Sequence, residues 1–217
     1  MIVTIDGPAG SGKSTAARGL AQRLGFEFLD TGAMYRAVAL AVTRANIPIG
    51  DAAKIVELLG KSRLEMANDR VLLNQEDITE IIRQPAISDA ASRVAVVPHV
   101  RATLVGWQRQ IARDRNMVCE GRDQGSVVFP DSPCKFFLHA RIETRAARRM
   151  AELGVRGIVS TPDRVMEELR IRDERDQTRE VGPLIAADDA KWIETDGLTI
   201  DQVIDKLEVE VRRCRPG

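Results

Sequence analysis

Residues 7 to 15 of the chain are Gly7-Pro8-Ala9-Gly10-Ser11-Gly12-Lys13-Ser14-Thr15. They follow a short apolar run, Ile2-Val3-Thr4-Ile5, which predicts a buried strand. They precede residues 16–24, whose pattern predicts a helix with Gly25 just past its end as the C-cap. The spacing G-x-x-x-x-G-K-[ST], placed between a strand and a helix, is that of a P-loop, and it decides the fold.

Each residue type in this loop suits a polyphosphate. Glycines allow backbone N–H groups to surround the phosphates, and the N-terminus of the following helix adds the positive end of its dipole. Lys13 can reach the β- and γ-phosphates, and the Ser14 hydroxyl can ligate Mg²⁺. A glycine-rich turn that merely caps a helix is the alternative, but it would not require a lysine and a hydroxyl at these positions. The sequence predicts that residues 7–15 bind a nucleoside triphosphate.

The composition is ordinary for a soluble globular protein. The 217 residues suffice for one core with small insertions, and 44% are hydrophobic and 29% charged. Lys+Arg and Asp+Glu balance at 32 each, so the protein has no net charge that would favour a nucleic-acid or membrane partner. No stretch approaches the ~20 apolar residues of a membrane span. The first strand begins too early for a signal peptide, so we expect a cytoplasmic protein.

The three cysteines, Cys119, Cys134 and Cys214, are odd in number and lack the spacing of metal ligands. In a cytoplasmic protein we expect them to be reduced, structural thiols.

Apolar runs and turn signals predict five core strands near residues 2–5, 26–30, 117–120, 134–138 and 191–195. Residues 63–67 and 70–73 flank Asn68-Asp69, which predicts a small antiparallel hairpin. We therefore expect a P-loop α/β fold, a five-stranded parallel sheet with helices on both faces. The predicted parts are a core (1–30, 96–147 and 171–217), an insertion of about 31–95 that contains the small antiparallel sheet, and a short lid of about 148–170.

Three further motifs make the prediction more specific than the P-loop alone does. They are residues 30–36 (DTGAMYR), residues 120–123 (EGRD) running into residues 127–130 (VVFP), and residues 172–176 (RDERD) followed by Pro183-Leu184. Together with the P-loop they resemble the bacterial cytidylate kinases over essentially the whole chain, from Ile2 to about Leu207. Gln124 and Ser126 depart from that pattern, which usually has an apolar residue and a threonine there.

The resemblance implies a role for each matching residue. Lys13, Arg122, Arg172 and Arg179 would be catalytic, with ATP and Mg²⁺ as cofactors and Ser14 as the metal ligand. Arg36 and Arg122 would hold the acceptor phosphate, while Ser92, Arg101 and Asp123 would recognise cytosine, whose amine and ring acceptors suit an aspartate and an arginine. The implied substrate-binding residues in full are Thr31, Tyr35, Arg36, Ser92, Arg101, Arg122, Asp123, Arg172, Asp176 and Arg179.

Arg172, Asp176 and Arg179 are spaced i, i+4, i+7, so a helix that extends this far presents all three on one face. A salt-bridged solvent face is the ordinary interpretation of such a row. A substrate role is favoured here because the row follows the segment where such kinases place a lid. Arg145 and Arg149 could reach ATP phosphates or lie on an exposed face, and both histidines, His99 and His139, are interpreted as structural.

The sequence offers no obvious catalytic base. A phosphate acceptor needs none, since its second pKa is about 6 and it is largely ionised near neutral pH. The leading prediction is ATP-dependent phosphorylation of CMP and dCMP to the diphosphates by a monomeric enzyme without nucleic-acid or membrane partners. Another small-molecule kinase, of the adenylate or shikimate type, is the alternative. A GTP-gated interaction module is disfavoured because no N-K-x-D stretch is present.

Overall fold

The computed structural model describes residues 1–67 and 70–214. The chain divides into two compact units, Met1–Phe28 with Asp114–Gly217, and Leu29–Arg113. The second unit extends beyond the predicted insertion because the helix at residues 98–112 packs with two other helices of that unit. The predicted bounds of the core, the insertion and the lid themselves stay a prediction.

All five predicted core strands are confirmed, and their bounds are β1 (Ile2–Asp6), β2 (Glu27–Asp30), β6 (Met117–Glu120), β7 (Cys134–His139) and β8 (Lys191–Glu194). They form a parallel sheet in the order β2-β6-β1-β7-β8. Val3 of β1 lies opposite Val118 of β6 on one side and Cys134 of β7 on the other.

The helices of the first unit are α1 (Lys13–Leu24), α6 (Ile142–Val155), α7 (Pro162–Thr178) and α8 (Ile200–Cys214). The predicted C-cap is confirmed, since Gly25 adopts a left-handed conformation and donates its N–H to the carbonyls of Ala21 and Gln22. Thr161 caps α7 by accepting a hydrogen bond from the N–H of Arg164. Within the described residues, no helix combines the length and the apolar character that crossing a membrane requires.

The core of the first unit lies between the sheet and the helices α1 and α8. Alternate residues of β1, Val3 and Ile5, are fully buried against Leu20 of α1 and Leu207 of α8. This burial suits the β-branched side chains of Val3 and Ile5, which pack well on a pleated surface.

The second unit contains α2 (Thr31–Arg44), α3 (Ala52–Gly60), α4 (Pro85–Val94), α5 (Pro98–Ala112) and a three-stranded antiparallel sheet. Its strands are β3 (Leu64–Ala67), β4 (Arg70–Leu73) and β5 (Glu76–Asp77). The predicted hairpin is confirmed by the pairing of β3 with β4, while its turn, Asn68-Asp69, lies outside the described residues. The third strand was not predicted, because two residues carry too little pattern.

Cys134 and Cys214 form a disulfide, with Cα atoms 5.9 Å apart, whereas Cys119 is free and buried. The expectation of reduced thiols is therefore wrong for two of the three cysteines. The two residues are 80 positions apart in the sequence, and only the packing of α8 on the sheet brings the end of that helix beside the start of β7. Sequence spacing alone could not reveal this pairing.

Candidate active site

The P-loop connects β1 to α1, and its first glycine is fixed by close packing. Gly7 has φ of 148°, and a Cβ atom there would lie only 2.1 Å from the carbonyl oxygen of Leu138 in β7. Gly12, at φ 85°, takes the left-handed conformation at the N-cap of α1. No other residue type fits at Gly7, because its backbone passes directly over the neighbouring strand.

Lys13 and Ser14 begin α1 and share a carboxylate partner, Glu120. The ammonium of Lys13 lies 3.7 Å from Glu120 Oε1 and donates to the carbonyl of Pro8 at 3.1 Å. The Ser14 hydroxyl donates to Glu120 Oε2 at 2.9 Å. The sequence analysis did not assign a role to Glu120. Its role depends on the pairing of β6 with β1, which brings the end of β6 to the same edge of the sheet as the loop and which no local motif predicts.

The electrostatics around Lys13 are unusual for a lysine. Burial, together with the positive charges of Arg122 and Arg172, lowers the pKa of its ammonium to about 7, while Glu120 and Asp176 oppose that shift. The loop thus holds a cation that an added anion would stabilise strongly.

A cleft of about 270 Å³ opens beside the loop. Arg148 of α6 lines it and donates to the carbonyl of Ser11 at 3.1 Å and to the hydroxyl of Thr195 at 2.9 Å. Thr195 also donates its hydroxyl to Ser11 O at 3.1 Å. The sequence analysis missed both residues, because they come from distant parts of the chain and match no local motif.

Arg145, for which the sequence left two roles open, is buried and contacts the main chain of the loop. It donates to the carbonyls of Ala9 at 3.2 Å and Ala140 at 3.1 Å, and it pairs with Asp173 of α7. Arg149 instead pairs with Glu152 on the outer side of α6. The exposed-face alternative is wrong for Arg145, which is buried and fixes the loop through the main chain. A contact with ATP phosphates stays a prediction.

A second cluster joins the segment after β6 to the end of α7. The Nε of Arg122 donates to Asp176 Oδ2 at 2.8 Å. Arg179 lies 3.8 Å from both Asp176 and Asp123. Although burial opposes ionisation of Asp176, the cations of Arg122, Arg172 and Arg179 hold its pKa below the ordinary value. Arg172, Asp176 and Arg179 are therefore brought together.

The geometry of this cluster differs from a single helix face. α7 ends at Thr178, and Arg179 follows in an extended conformation. Its Nε donates to the carbonyl of Gly182, so the turn after the helix, and not helical spacing, directs Arg179 to the cluster.

The remaining predicted substrate residues lie in the second unit. Asp30 caps α2 by accepting from Ala33 N at 2.7 Å, and it also pairs with Arg36 at 3.1 Å. Arg101 of α5, only 1% exposed, places its guanidinium 5.6 Å from the centre of the Tyr35 ring. Thr31 begins α2 and Ser92 lies in α4, both buried. Within this unit the structure thus brings Tyr35 and Arg101 together.

Comparison with known proteins decides the family. The sequence profile of the family described as cytidylate kinase matches residues 3–213 of this chain. The chain belongs to the cytidylate kinase family. It is 45% identical to a cytidylate kinase of Caldanaerobacter subterraneus subsp. tengcongensis over 99% of this chain and 96% of that protein. It is 47% identical to a cytidylate kinase of Mycobacterium leprae over 95% and 93% of the two chains.

Solved structures share the fold at low sequence identity. An uncharacterised protein from Eubacterium ventriosum gives a TM-score of 0.54 at 13% identity, over 99% of both chains. The protein TT1252 from Thermus thermophilus gives a TM-score of 0.50 at 18% identity, over 100% of this chain and 98% of that one. The resemblance to cytidylate kinases that the sequence motifs indicated is confirmed, and so is the predicted fold class.

Proposed function

We propose that this protein transfers the γ-phosphoryl group of ATP to CMP and dCMP and so produces CDP or dCDP with ADP. The observation that carries the proposal is the cytidylate kinase profile, which spans residues 3–213 and therefore includes the P-loop together with every other motif. The predictions of a monomeric, cytoplasmic enzyme without nucleic-acid partners stay predictions.

We assign the nucleotide donor to residues 7–15 and the adjoining cleft. Lys13 would neutralise charge on the transferring phosphoryl group, and the backbone amides of the loop would surround the phosphates. The low pKa of Lys13 supports this role, because a buried ammonium gains most from a polyanionic ligand.

The residues at the start of α1 fit Mg²⁺. The Ser14 hydroxyl and the Glu120 carboxylate lie 2.9 Å apart, and both supply the hard oxygen atoms that this ion prefers. Ser14 would bind the ion, and Glu120 would hold it through its water ligands. When bound, Mg²⁺ neutralises charge on the phosphate oxygens of the donor.

We assign the acceptor to the arginine-rich cluster. Arg122, Arg172 and Arg179 would bind phosphate oxygens, for which their forked guanidinium groups are suited. Asp123 would accept from the cytosine amine, and Asp176 from a ribose hydroxyl. The family resemblance further assigns Arg36 to the acceptor phosphate, Ser92 and Arg101 to the base, and Thr31 and Tyr35 to the lining of the pocket.

Asp176 is a carboxylate partner of two of these arginines, Arg122 and Arg179. Asp176 holds Arg122 at 2.8 Å, so an incoming phosphate competes with Asp176 for this guanidinium. No general base is needed, since the acceptor phosphate is largely ionised near neutral pH. Positioning and charge neutralisation are then sufficient for the transfer.

A panel of acceptors tests the proposal. ADP release from ATP is measured with CMP, dCMP, UMP, AMP, GMP and shikimate, each over a range of concentrations. We expect CMP and dCMP to exceed AMP and GMP by up to ~10⁴-fold in kcat/KM, because a site built to hydrogen-bond an amine leaves its own groups unpaired with the wrong base. UMP should follow by a smaller margin. A higher kcat/KM with AMP or shikimate would reject the assignment, and slow ATP hydrolysis indifferent to every acceptor would indicate a nucleotide-gated switch.

A further inference from the structure

β1 presents two different faces. Val3 and Ile5 face the hydrophobic core with α1 and α8, whereas Thr4 and Asp6 alternate with them and face the opposite side of the sheet. Asp6 is nevertheless only 4% exposed. A buried carboxylate is costly unless hydrogen bonds compensate it, so its partners indicate why it is there.

The partners of Asp6 are two consecutive backbone amides. Gln124 N donates to Oδ1 at 2.9 Å, and Gly125 N donates to Oδ2 at 2.8 Å. A carboxylate can accept from two parallel N–H groups, whereas the amide of asparagine offers one oxygen and two donors. Asp6 therefore fixes both the position and the orientation of residues 124 and 125.

Residues 124 and 125 also pack closely against β1. A Cβ atom at Gly125 would approach the Thr4 hydroxyl to 2.9 Å and the Lys135 side chain to 3.3 Å. The absence of a side chain at residue 125 thus allows the amides to reach Asp6. Within residues 1–67 and 70–214 the buried Thr4 hydroxyl itself has no hydrogen-bond partner, so the polar anchor at this contact is the Asp6 carboxylate.

The anchored amides directly follow Arg122 and Asp123. The carbonyl of Asp123 accepts from Val127 N at 2.9 Å and from Val128 N at 3.1 Å, within a single π-helical turn of residues 124–128. The peptide groups after Asp123 are thus fixed both by the Asp6 carboxylate and by the hydrogen bonds of the π-helical turn. Because Asp123 directly precedes this turn, a displacement of the turn would also move the Asp123 side chain.

Packing alone does not explain the choice of an acid here. Burial, and less strongly the charge of Asp123, raises the pKa of Asp6 to about 7, while the two amides and Arg122 lower it. The charged side chain therefore destabilises the folded protein. Such a cost is typical of a group that is retained for a site and not for stability.

We propose that Asp6 is a positioning residue for acceptor selectivity, which holds the amides of Gln124 and Gly125 and thereby places Asp123 against the acceptor base. The inference rests on the role of Asp123 given under the proposed function. Asp6 itself touches no substrate in this scheme; it acts through the turn.

The test is the ratio of kcat/KM for CMP to that for UMP, measured in Asp6→Asn. Asparagine keeps one acceptor oxygen and loses the other, so one of the two amides loses its partner and we expect the CMP:UMP ratio to fall by about tenfold or more. The KM for CMP should rise, whereas the KM for ATP should change by less than about twofold, the usual range for a substitution away from the ATP site. A merely destabilised protein would lose activity with both acceptors equally and keep the ratio.

Two further variants complete the experiment. Thr4→Val is the matched control, since it changes the same strand and face without breaking a hydrogen bond, and its ratio should equal that of the wild type. Gly125→Ala disturbs the same contact from the opposite side and should lower the ratio even if Asp6→Asn does not fold.

The outcomes separate this inference from the function on which it rests. A wild type that does not prefer CMP, or an Asp123→Ala variant with an unchanged CMP:UMP ratio, rejects the assigned site and with it the positioning role. If Asp123→Ala lowers the ratio while folded Asp6→Asn and Gly125→Ala both retain it, the site stands and the positioning role of Asp6 is wrong.

Discussion

Lys13 combines a functional position with an unusual acid–base property. Burial and two neighbouring arginines lower its pKa to about 7, so Lys13 is partly neutral at pH 8, and the phosphates of bound ATP should return it to the charged form. We predict that ATP binding takes up protons at that pH. Calorimetric titration in two buffers of different ionisation enthalpy measures this uptake.

Lys13→Ala supplies the comparison for that titration. Its binding enthalpy should lose most of the buffer dependence, and its turnover should fall by orders of magnitude because one fixed charge on the transferring group is lost. Lys61→Ala, which removes an exposed lysine paired with Glu57, should resemble the wild type in both measurements. Equal proton uptake by the wild type and Lys13→Ala would contradict the prediction.

Asp6 gives a second residue-level prediction, in the pH dependence of stability. Its pKa is about 7 in the folded protein against 3.8 for the ordinary group, so the folded state binds this proton more tightly. The wild type should therefore lose stability relative to Asp6→Asn as the pH rises from about 4 to 7, and the penalty should then stay constant.

Melting temperatures of the two proteins between pH 5 and pH 8 test this sign. We expect the free energy of unfolding of Asp6→Asn, relative to the wild type, to increase by roughly 2.5 kcal/mol over that range. The other groups that act on Asp6, namely Asp123, Arg122 and the Cys119 thiol, are present in both proteins and largely cancel. A difference that is constant with pH would show that Asp6 does not titrate in this range.

The residues that sequence reasoning found and missed differ in a physical way. Lys13 and Ser14 could be predicted because the residues of a phosphate-binding loop have a fixed spacing between one strand and one helix. That spacing indicates the role of each position. Glu120, Arg148 and Asp6 could not, since their roles depend on which strands become neighbours. The order of the strands depends on the packing of the whole sheet, and the local sequence pattern contains little information about it.

At the scale of secondary structure, the end of α7 carries the next prediction. Asp176 and Arg179 are buried and form one cluster with Arg122 and Asp123, so Asp176→Ala and Arg179→Ala should each raise the KM for CMP or lower kcat by about tenfold or more. Steady-state kinetics with CMP at saturating ATP provide the measurement, with melting curves to verify folding.

The same helix supplies the control. Arg164 and Glu168 form an exposed i, i+4 pair, with Nε and Oε1 3.0 Å apart, and such a pair is worth only ~0.3–0.5 kcal/mol. Arg164→Ala should leave CMP kinetics unchanged. Unaltered kinetics in Asp176→Ala and Arg179→Ala as well would make the end of α7 a purely structural feature.

Element boundaries show where local rules are sufficient. The start of α7 carries a local signal, the N-cap Thr161 followed by Pro162, because capping chemistry involves only neighbouring residues. The end of α7 after Thr178 has no comparable signal, and it depends on the carbonyl of Gly182, which binds the side chain of Arg179. The sequence therefore predicted that these residues act together but not the geometry that joins them.

At the scale of the whole molecule, the disulfide between Cys134 and Cys214 closes a loop across 80 positions. Loop-closure entropy predicts that Cys214→Ser lowers the free energy of unfolding by about 2–4 kcal/mol under oxidising conditions. Denaturant titrations of the two proteins provide the comparison. The wild type in excess reductant should approach the variant, whereas a variant as stable as the oxidised wild type would mean that the bond contributes nothing.

The bond also closes part of the chain into a covalent ring, and the ring includes an exposed connection. Val155 at the end of α6 and Val159 before α7 are 91% and 94% exposed, which makes this connection a natural target for proteases. A single cut there severs the backbone without producing two molecules, because each fragment carries one of the bonded cysteines. The nicked protein should migrate as one species on a denaturing gel without reductant and separate into two fragments when reductant is added.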